Sequence, residues 1–291
     1  MPEHRLTTRL AMGADGRRRG MQVPGCWDGL TALLVEQAGF EAAFVSGGGL
    51  AMARLGRPDI GLVTASELVD AVMQIADRVR LPLIVDGDTG FGNAITLQRL
   101  VRQLDRAGAA AVQIEDQLFP KRCGHMAGKR VAPLAEAVGR IRAAVDARDG
   151  MAIIARTDAL AIEGLDAAMD RADAYREAGA DLLFVEGPRT MAEAEAIAAR
   201  FAGRVPLVHN LVEGGVTPAT DSGRFFALGY AITLHPLLLM HAMVGAAPGV
   251  FAALRETGST DGVRETMADL GIMNRLTGAQ QMLEEGDRYA G

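Results

Sequence analysis

This sequence is poor in cysteine, in aromatic residues and in positive charge. Two cysteines in 291 residues, Cys26 and Cys123, do not make a disulfide framework, so a reducing compartment is expected. Aromatic residues are only 4% of the chain, which leaves Ala, Val, Leu, Ile and Met to fill an interior. The formal net charge is -6, which removes the electrostatic footprint of a nucleic-acid binder. The one basic run, Arg17-Arg18-Arg19, lies between glycines and reads as a solvated loop. No apolar run reaches the ~18 residues of a membrane span, and the N-terminus lacks the apolar stretch of a signal peptide. A soluble, cytoplasmic protein with neither membrane nor nucleic acid as partner is the expectation.

What the chain has is a recurring phrase: a helical segment, a small residue and glycine, then an apolar strand. It occurs as Gln37-Ala38-Gly39-Phe40, Arg106-Ala107-Gly108-Ala109, Glu177-Ala178-Gly179-Ala180 and, more weakly, Ala227-Leu228-Gly229-Tyr230. Glycine suits the left-handed position that ends a helix. Short apolar runs follow at Ala42 to Val45, Ala111 to Ile114, Leu182 to Val185 and Ala231 to Leu234. Others stand between them at Met21 to Pro24, Leu83 to Val85, Ala152 to Ile154 and Leu207 to Val208. Segments of helix length separate them: Ser66 and Thr96 read as caps, and Leu165 to Ala178 keeps Leu165, Ala168, Met169, Ala172 and Tyr175 on one face. Eight strand–helix alternations predict an α/β fold, a (β/α)8 TIM barrel, with an open doubly wound sheet as the alternative. No glycine-rich phosphate fingerprint follows the first strand. Residues 1–291 read as one barrel domain in which 236–291 supply the last barrel helix, interrupted at Pro248, and an amphipathic tail.

Barrel enzymes take their catalytic groups from the carboxyl ends of the strands. Here the second strand ends in Ser46-Gly47-Gly48-Gly49, the third in Asp86-Gly87-Asp88 and the fourth in Glu115-Asp116. The fifth ends in Arg156-Thr157-Asp158, the sixth in Glu186 and the seventh in His209-Asn210. So many acids on one rim call for a counter-cation, because a buried unpaired carboxylate costs several kcal/mol. Oxygen ligands without a His/Cys tetrad suit Mg2+ or Mn2+. Asp86 is the expected direct metal ligand, with Asp88 and Glu115 holding coordinated water. Arg156 is a fork for a substrate carboxylate or phosphate, and Ser46, Gly47 and Gly48 offer backbone N–H groups to an anion.

After the fourth strand comes a loop carrying Lys121, Arg122, Cys123, Gly124, His125 and Lys129. Cations around Cys123 favour its thiolate, and Gly124 and Gly128 are flexible joints. Cys26, in an apolar stretch, reads as core.

Lys121-Arg122-Cys123-Gly124-His125 resembles the lyase-branch signature of the isocitrate lyase and phosphoenolpyruvate mutase superfamily. Ser46-Gly47-Gly48-Gly49, Pro58-Asp59, Phe91-Gly92-Asn93 and Arg156-Thr157-Asp158-Ala159-Leu160 match as well, within a likeness running from Val23 to Leu254. Glu163 to Ala180 is similar to methylisocitrate lyases. Val212 to Pro218 looks more like dimethylmalate lyases and carboxyphosphonoenolpyruvate mutases. The resemblance implies a Mg2+-dependent barrel, a homotetramer exchanging its last helix, and a pyruvate- or glyoxylate-like keto acid held by the metal, Arg156 and Ser46-Gly47-Gly48.

Departures from the pattern are Gly87, Trp27, His235-Pro236 and the lack of arginine in Leu237-Leu238-Leu239-Met240-His241. The expected chemistry is retro-aldol cleavage of a small 2-hydroxydicarboxylate, methylmalate-, dimethylmalate- or methylisocitrate-like, to a keto acid and a carboxylate. Cys123 is the acid, tuned by His125, with Lys121 beside it; the base is left open among Glu186, Glu115 and Asp59. Asp59, Gly124, Asn210 and Thr217 join the expected substrate contacts. A phosphonomutase, or an oxaloacetate decarboxylase or hydrolase, is the alternative.

Overall fold

The computed structural model describes residues 6–14, 16, 18–124, 126–217 and 221–290. Eight strands form one parallel sheet: β1 Met21–Cys26, β2 Ala43–Val45, β3 Leu83–Asp86, β4 Ala109–Glu115, β5 Ala152–Thr157, β6 Leu182–Val185, β7 Val208–Asn210 and β8 Ile232–His235. Neighbours in sequence are neighbours in space, and β1 also pairs with β8. A parallel bridge between Leu183 and Leu207 brings β6 to β7, so the sheet closes on itself. This is the expected (β/α)8 barrel. Each strand sends apolar side chains inward, among them Val23, Phe44, Ile84, Ala111, Ile154, Phe184, Val208 and Ile232. Leu6 and Leu10, in and just after α1 Leu6–Arg9, join the same cluster. Each such burial contributes about 1.5–3 kcal/mol for a large side chain. Of the few aromatics, Phe44 and Phe184 belong to this cluster, and Tyr175, Phe201 and Phe225 are buried on the surrounding helices.

The helices outside the sheet are α2 Gly29–Gln37, α4 Ala65–Arg78, α5 Ala94–Ala107, α6 Leu134–Ala147, α8 Leu165–Glu177, α9 Met191–Phe201 and α10 Ser222–Leu228. Two one-turn helices, α3 Gly47–Leu50 and α7 Leu160–Glu163, follow strands β2 and β5. The glycines of the recurring phrase have the left-handed φ it requires: +80° at Gly39, +97° at Gly108, +101° at Gly179 and +101° at Gly229. Two caps lie upstream of the expected residues. Thr64, not Ser66, caps α4, because Glu67 returns a bond to the Thr64 N–H and completes a reciprocal pair. Asn93, not Thr96, caps α5, accepting from the N–H groups of Ile95 and Thr96. Nor is the basic run wholly solvated. Arg18 is half-buried and donates 2.5 Å to the Ala202 carbonyl, while Arg17 lies outside the described residues.

Residues 239–291 form a second compact unit. Its long helix α11 runs Leu238–Thr257 without a break, Pro248 included, and therefore starts two residues after the expected Pro236. Among the described residues this is the one helix whose length and mean hydropathy would suit a bilayer. The expected amphipathic tail is helical in three pieces, a 3-10 helix Asp261–Thr266, α12 Leu270–Thr277 and α13 Ala279–Asp287.

Candidate active site

Strand alternation decides which rim side chains face each other. In β4, Gln113 and Glu115 lie two residues apart and share a face; β5 pairs Glu115 with Arg156. Arg156 is accordingly buried at the mouth, its Nε 3.4 Å from Glu115 and its Nη2 3.4 Å from Glu186. Asp158, two residues on, grips it bidentately at 2.9 and 3.1 Å. Burial opposes a charged guanidinium, yet Asp158, Glu186 and Glu115 raise its pKa well above the usual value. Burial likewise opposes the charge of Asp158, but Arg156 and Lys129 hold it at about 2.

The other face of the same strand ends looks outward. Asp116 accepts from the Thr157 hydroxyl at 2.7 Å, the Asp158 N–H at 2.9 Å and the Tyr175 hydroxyl of α8 at 2.8 Å. Arg171 of α8 stands 3.5 Å from Asp116 and is fixed by Glu163 and the Ala132 carbonyl.

At the end of β3, Asp86 accepts from the Asp88 N–H at 3.2 Å and from Gln113 at 3.3 Å. Asp88 has φ +46°, a left-handed conformation that a non-glycine residue adopts at a cost. The departure at Gly87 has a steric reason: a Cβ there would sit 2.8 Å from the Gln113 carbonyl oxygen. Gly47 lies against the same acids, with the position of a Cβ 3.1 Å from Asp86 Oδ2. Ser46 and its glycines form the turn α3, and the Ser46 hydroxyl accepts from the Gly49 N–H at 3.1 Å.

Lys121 reaches these acids from the loop after β4. Its ammonium lies 2.6 Å from Asp88 Oδ1 and also pairs with Asp59. Burial alone would lower its pKa, but Asp88, Asp59, Asp86 and Glu115 raise it well above the ordinary lysine value. One ammonium does not balance four acids. Burial, with Asp86 and Asp59 nearby, pushes Asp88 up to about 7 despite Lys121, and burial pushes Glu115 well above the carboxylate range.

The loop itself folds over the mouth. Leu118 donates to the Arg130 carbonyl and Ala132 to the Asp116 carbonyl, both at 2.8 Å, while the Gln117 side chain clasps the Arg122 backbone in both directions. Gly124 approaches so closely that a Cβ would fall 2.8 Å from Glu186 Cδ. A cavity of about 250 Å3 results, and Ser46, Gly48, Asp59, Asp86, Cys123, Gly124, Arg156 and Asn210 line it. Its remaining wall is apolar: Phe44, Met52, Pro58, Met126, Val212, Pro236 and Leu237.

Most of the expected site residues therefore meet. Glu186 lies behind Arg156 and accepts from Asn210 at 2.9 Å. Thr217 donates to the Asn210 backbone carbonyl at 3.2 Å, which makes it a support for the β7 end and not part of the cavity wall. Expected catalytic residue His125 lies outside the described residues, as does Pro218. The sequence reading overlooked Asp158 and Lys129 as holders of the rim; the two-residue spacing from Arg156 to Asp158 was the available signal. It also missed Met52, on the π-helical turn Ala51–Leu55.

Among the described residues no three His, Cys, Asp or Glu side chains converge as a ready-made metal cage. Asp88 is engaged by Lys121, and Glu115 faces Arg156. The donor set still fits a hydrated cation. Asp86, Asp88 and Glu115 are all buried oxygen donors, and Glu115 Oε1 is buried without a hydrogen-bond partner. Mg2+ keeps several waters and takes one or two carboxylates directly.

Acids and an arginine at the strand ends of a closed barrel, under a cysteine-bearing loop, define a (β/α)8 enzyme. A model of the phosphoenolpyruvate phosphomutase family matches residues 16–254, and the chain belongs to that family. It is 40% identical over 269 residues to 2,3-dimethylmalate lyase of Eubacterium barkeri, covering 92% of each chain. With 2-methylisocitrate lyase of Salmonella typhimurium it shares 43% over 259 residues, 87% of this chain and 86% of that one. Among solved structures, oxaloacetate acetylhydrolase bound to 3,3-difluorooxalacetate superimposes with a TM-score of 0.91 at 32% identity, covering 99% of this chain and 96% of that one. Phosphonopyruvate hydrolase with oxalate and Mg2+ gives 0.86 at 32%, covering 98% of each. The chain is an enzyme of the phosphoenolpyruvate mutase/isocitrate lyase superfamily and falls with its carbon–carbon lyases.

Proposed function

We propose that this enzyme cleaves a small, alkyl-substituted 2-hydroxydicarboxylate of the methylmalate or dimethylmalate kind into a keto acid and a carboxylate. The observation that carries the reading is the shared cavity, in which Cys123 and Gly124 of the loop stand with Ser46, Asp86 and Arg156. A substrate carboxylate would lie at the Arg156 end, and alkyl groups would meet Met52, Val212 and Leu237. Mg2+ or Mn2+, when bound by Asp86 with Asp88 and Glu115 around its water shell, would supply positive charge to the oxygens of the keto-acid half.

Of the three candidate bases, Asp59 lines the cavity, and Lys121 orients its carboxylate. It takes the hydroxyl proton. The bond between the hydroxyl carbon and its neighbour breaks, the hydroxyl carbon becomes the ketone, and the electron pair stays on the neighbour beside its carboxylate. The Cys123 thiol then gives that carbon a proton. The loop, sealed by Gly124, excludes water while this occurs.

Among the described residues that line the cavity Arg156 is the one cation, and that limits substrate size. Leu237 and Pro236 line the wall where a third carboxylate would need a partner, and an unpaired buried carboxylate costs several kcal/mol. The test is a panel of 2-hydroxy- and 2-oxo-dicarboxylates with Mg2+, assayed for pyruvate or glyoxylate. Alkylated malates should be turned over in preference to methylisocitrate; efficient methylisocitrate cleavage refutes the size argument. The likeness to oxaloacetate acetylhydrolase supports a hydrolase as the second reading, and release of oxalate from oxaloacetate in the same panel would put it first.

The assembly we propose is a homotetramer. Support comes from the second unit, where Phe251 is 68%, Leu270 74% and Leu283 67% exposed in the single chain. Mass measurement in solution tests it, and a monomer at micromolar concentration refutes it.

A further inference from the structure

Lys129 stands on the returning limb of the loop and is buried. Its ammonium makes two bonds of different kinds. One goes 2.8 Å to Asp158 Oδ1, the carboxylate that grips Arg156. The other crosses the loop, 2.5 Å to the carbonyl of Gly124, one residue from Cys123. The base of the loop is fastened without it, through Leu118, Gln117, Arg122 and Ala132. The tip has the turn in which Met126 donates to the Cys123 carbonyl at 2.8 Å, and that turn ties the tip only to itself. The Lys129 pair registers Gly124 to the barrel from the returning limb, as Lys121, two residues before Cys123, holds the outgoing limb to Asp59 and Asp88. A counter-charge for Asp158 would need no bond to Gly124.

We propose that Lys129 is a positioning residue: through Asp158 it sets the Cys123-Gly124 peptide at a fixed height above Arg156. It touches neither substrate nor metal and acts by holding the acid where the cleaved carbon lies. This role rests on the lyase reading for its consequence in turnover, but the geometry it asserts is testable without any substrate.

The experiment measures carbamidomethylation of Cys123 by iodoacetamide on the full-length enzyme, located by peptide mass. Cys26 is an internal control, since it is fully buried and its thiol is pushed up to about 12 by burial. Lys129→Met keeps the length and apolar stem of the side chain and removes both bonds. It should speed Cys123 modification at least about tenfold, the scale of losing one charge-assisted hydrogen bond. Loss of a neighbouring cation would by itself lower the thiolate fraction and slow the reaction, so acceleration reports release of the tip. Lys129→Arg keeps a positive charge beside Asp158 while its planar fork mismatches the Gly124 carbonyl. It should also speed modification, leave the unfolding temperature close to wild type, and lower kcat more than it changes KM once a substrate is known. If Lys129→Met fails to fold, Lys129→Arg decides alone. Modification rates unchanged in the folded variants overturn the proposal and leave Lys129 as a counter-charge; faster modification with no turnover of any panel substrate upholds the geometry and fails the lyase reading instead.

Discussion

Gly124→Ala tests whether the closeness of the loop to the rim matters for chemistry. The added Cβ would fall 2.8 Å from Glu186 Cδ and Cγ and nearer still to Arg156 Nη2, whereas ordinary contacts start near 3.4 Å. Something must move by at least about half an ångström, since overlap at that range is not tolerated in a packed site. Arg156 is the poorer candidate: Asp158 holds it at two points, and its guanidinium lies over the Phe184 ring at 5.2 Å. The loop should yield and carry Cys123 away from the cavity. A misplacement near 1 Å costs about 10²-fold, so kcat/KM should fall roughly 10- to 100-fold. Stability should change little, because the strain relaxes outward into a loop. The control is Gly139→Ala in α6, where a Cβ meets nothing within 4 Å and about 0.5–1 kcal/mol of stability should be gained. Steady-state keto-acid release and thermal unfolding of both variants are the measurements. A Gly124→Ala enzyme within about threefold of wild type in kcat/KM, a difference under 1 kcal/mol, would refute the reasoning.

Chelator should abolish activity, with Mg2+ or Mn2+ restoring it, and Asp86→Ala should not be restorable; full activity in chelator would overturn the metal assignment. Cys123→Ser should lower kcat by about 10²–10⁴-fold with little change in KM, because a hydroxyl is a far weaker acid than a thiol. Cys26→Ser should cost unfolding temperature and leave kcat alone, since it buries a hydroxyl in the apolar core. Asp158, held at about 2, lies below the ~3.9 of an unfolded aspartate. It therefore stabilises the fold above that unfolded value, and the stabilisation disappears as pH falls from about 4 toward 2. Asp158→Asn should lose stability at neutral pH and flatten the acid limb of the unfolding-temperature profile, and an unchanged limb would count against the Arg156–Asp158–Lys129 cluster.

The barrel was legible because its strands are apolar on both faces and its helices end in glycine, signals local enough to read one segment at a time. Gly39, Gly108, Gly179 and Gly229 all take the left-handed φ that the pattern implied. The caps were missed by two or three residues because a cap is decided by which side chain closes a reciprocal bond, and Thr64 has Glu67 three residues on whereas Ser66 has no such partner. Rim acids could be enumerated from strand ends, but their pairings could not. Lys121 is one of four candidate cations in the loop sequence; only the fold shows that it is the one driven between Asp59 and Asp88. The apolar wall was equally hidden, since Met52, Val212 and Leu237 come from three different strand–helix connections.

The division of labour between rim and loop follows from the same alternation. Inward from β4 and β5 stand Glu115 and Arg156; outward from the adjoining positions stand Asp116 and Thr157, bolted to Tyr175 and Arg171 on α8. The outward set ties the two strand ends to each other through Thr157 and the Asp158 N–H, and to α8 through Tyr175 and Arg171, which anchors Asp158 and, through it, Arg156. Movement must then belong to the loop, whose tip is fastened to that fixed frame through the ammonium of Lys129 and the close seat of Gly124. An acid mounted on the movable part and an anion fork mounted on the fixed part give one way to make proton delivery depend on closure. On the proposed lyase reading, the thiol would reach the cleaved carbon when the tip is seated, and a seated tip would also keep water from competing for the same electron pair.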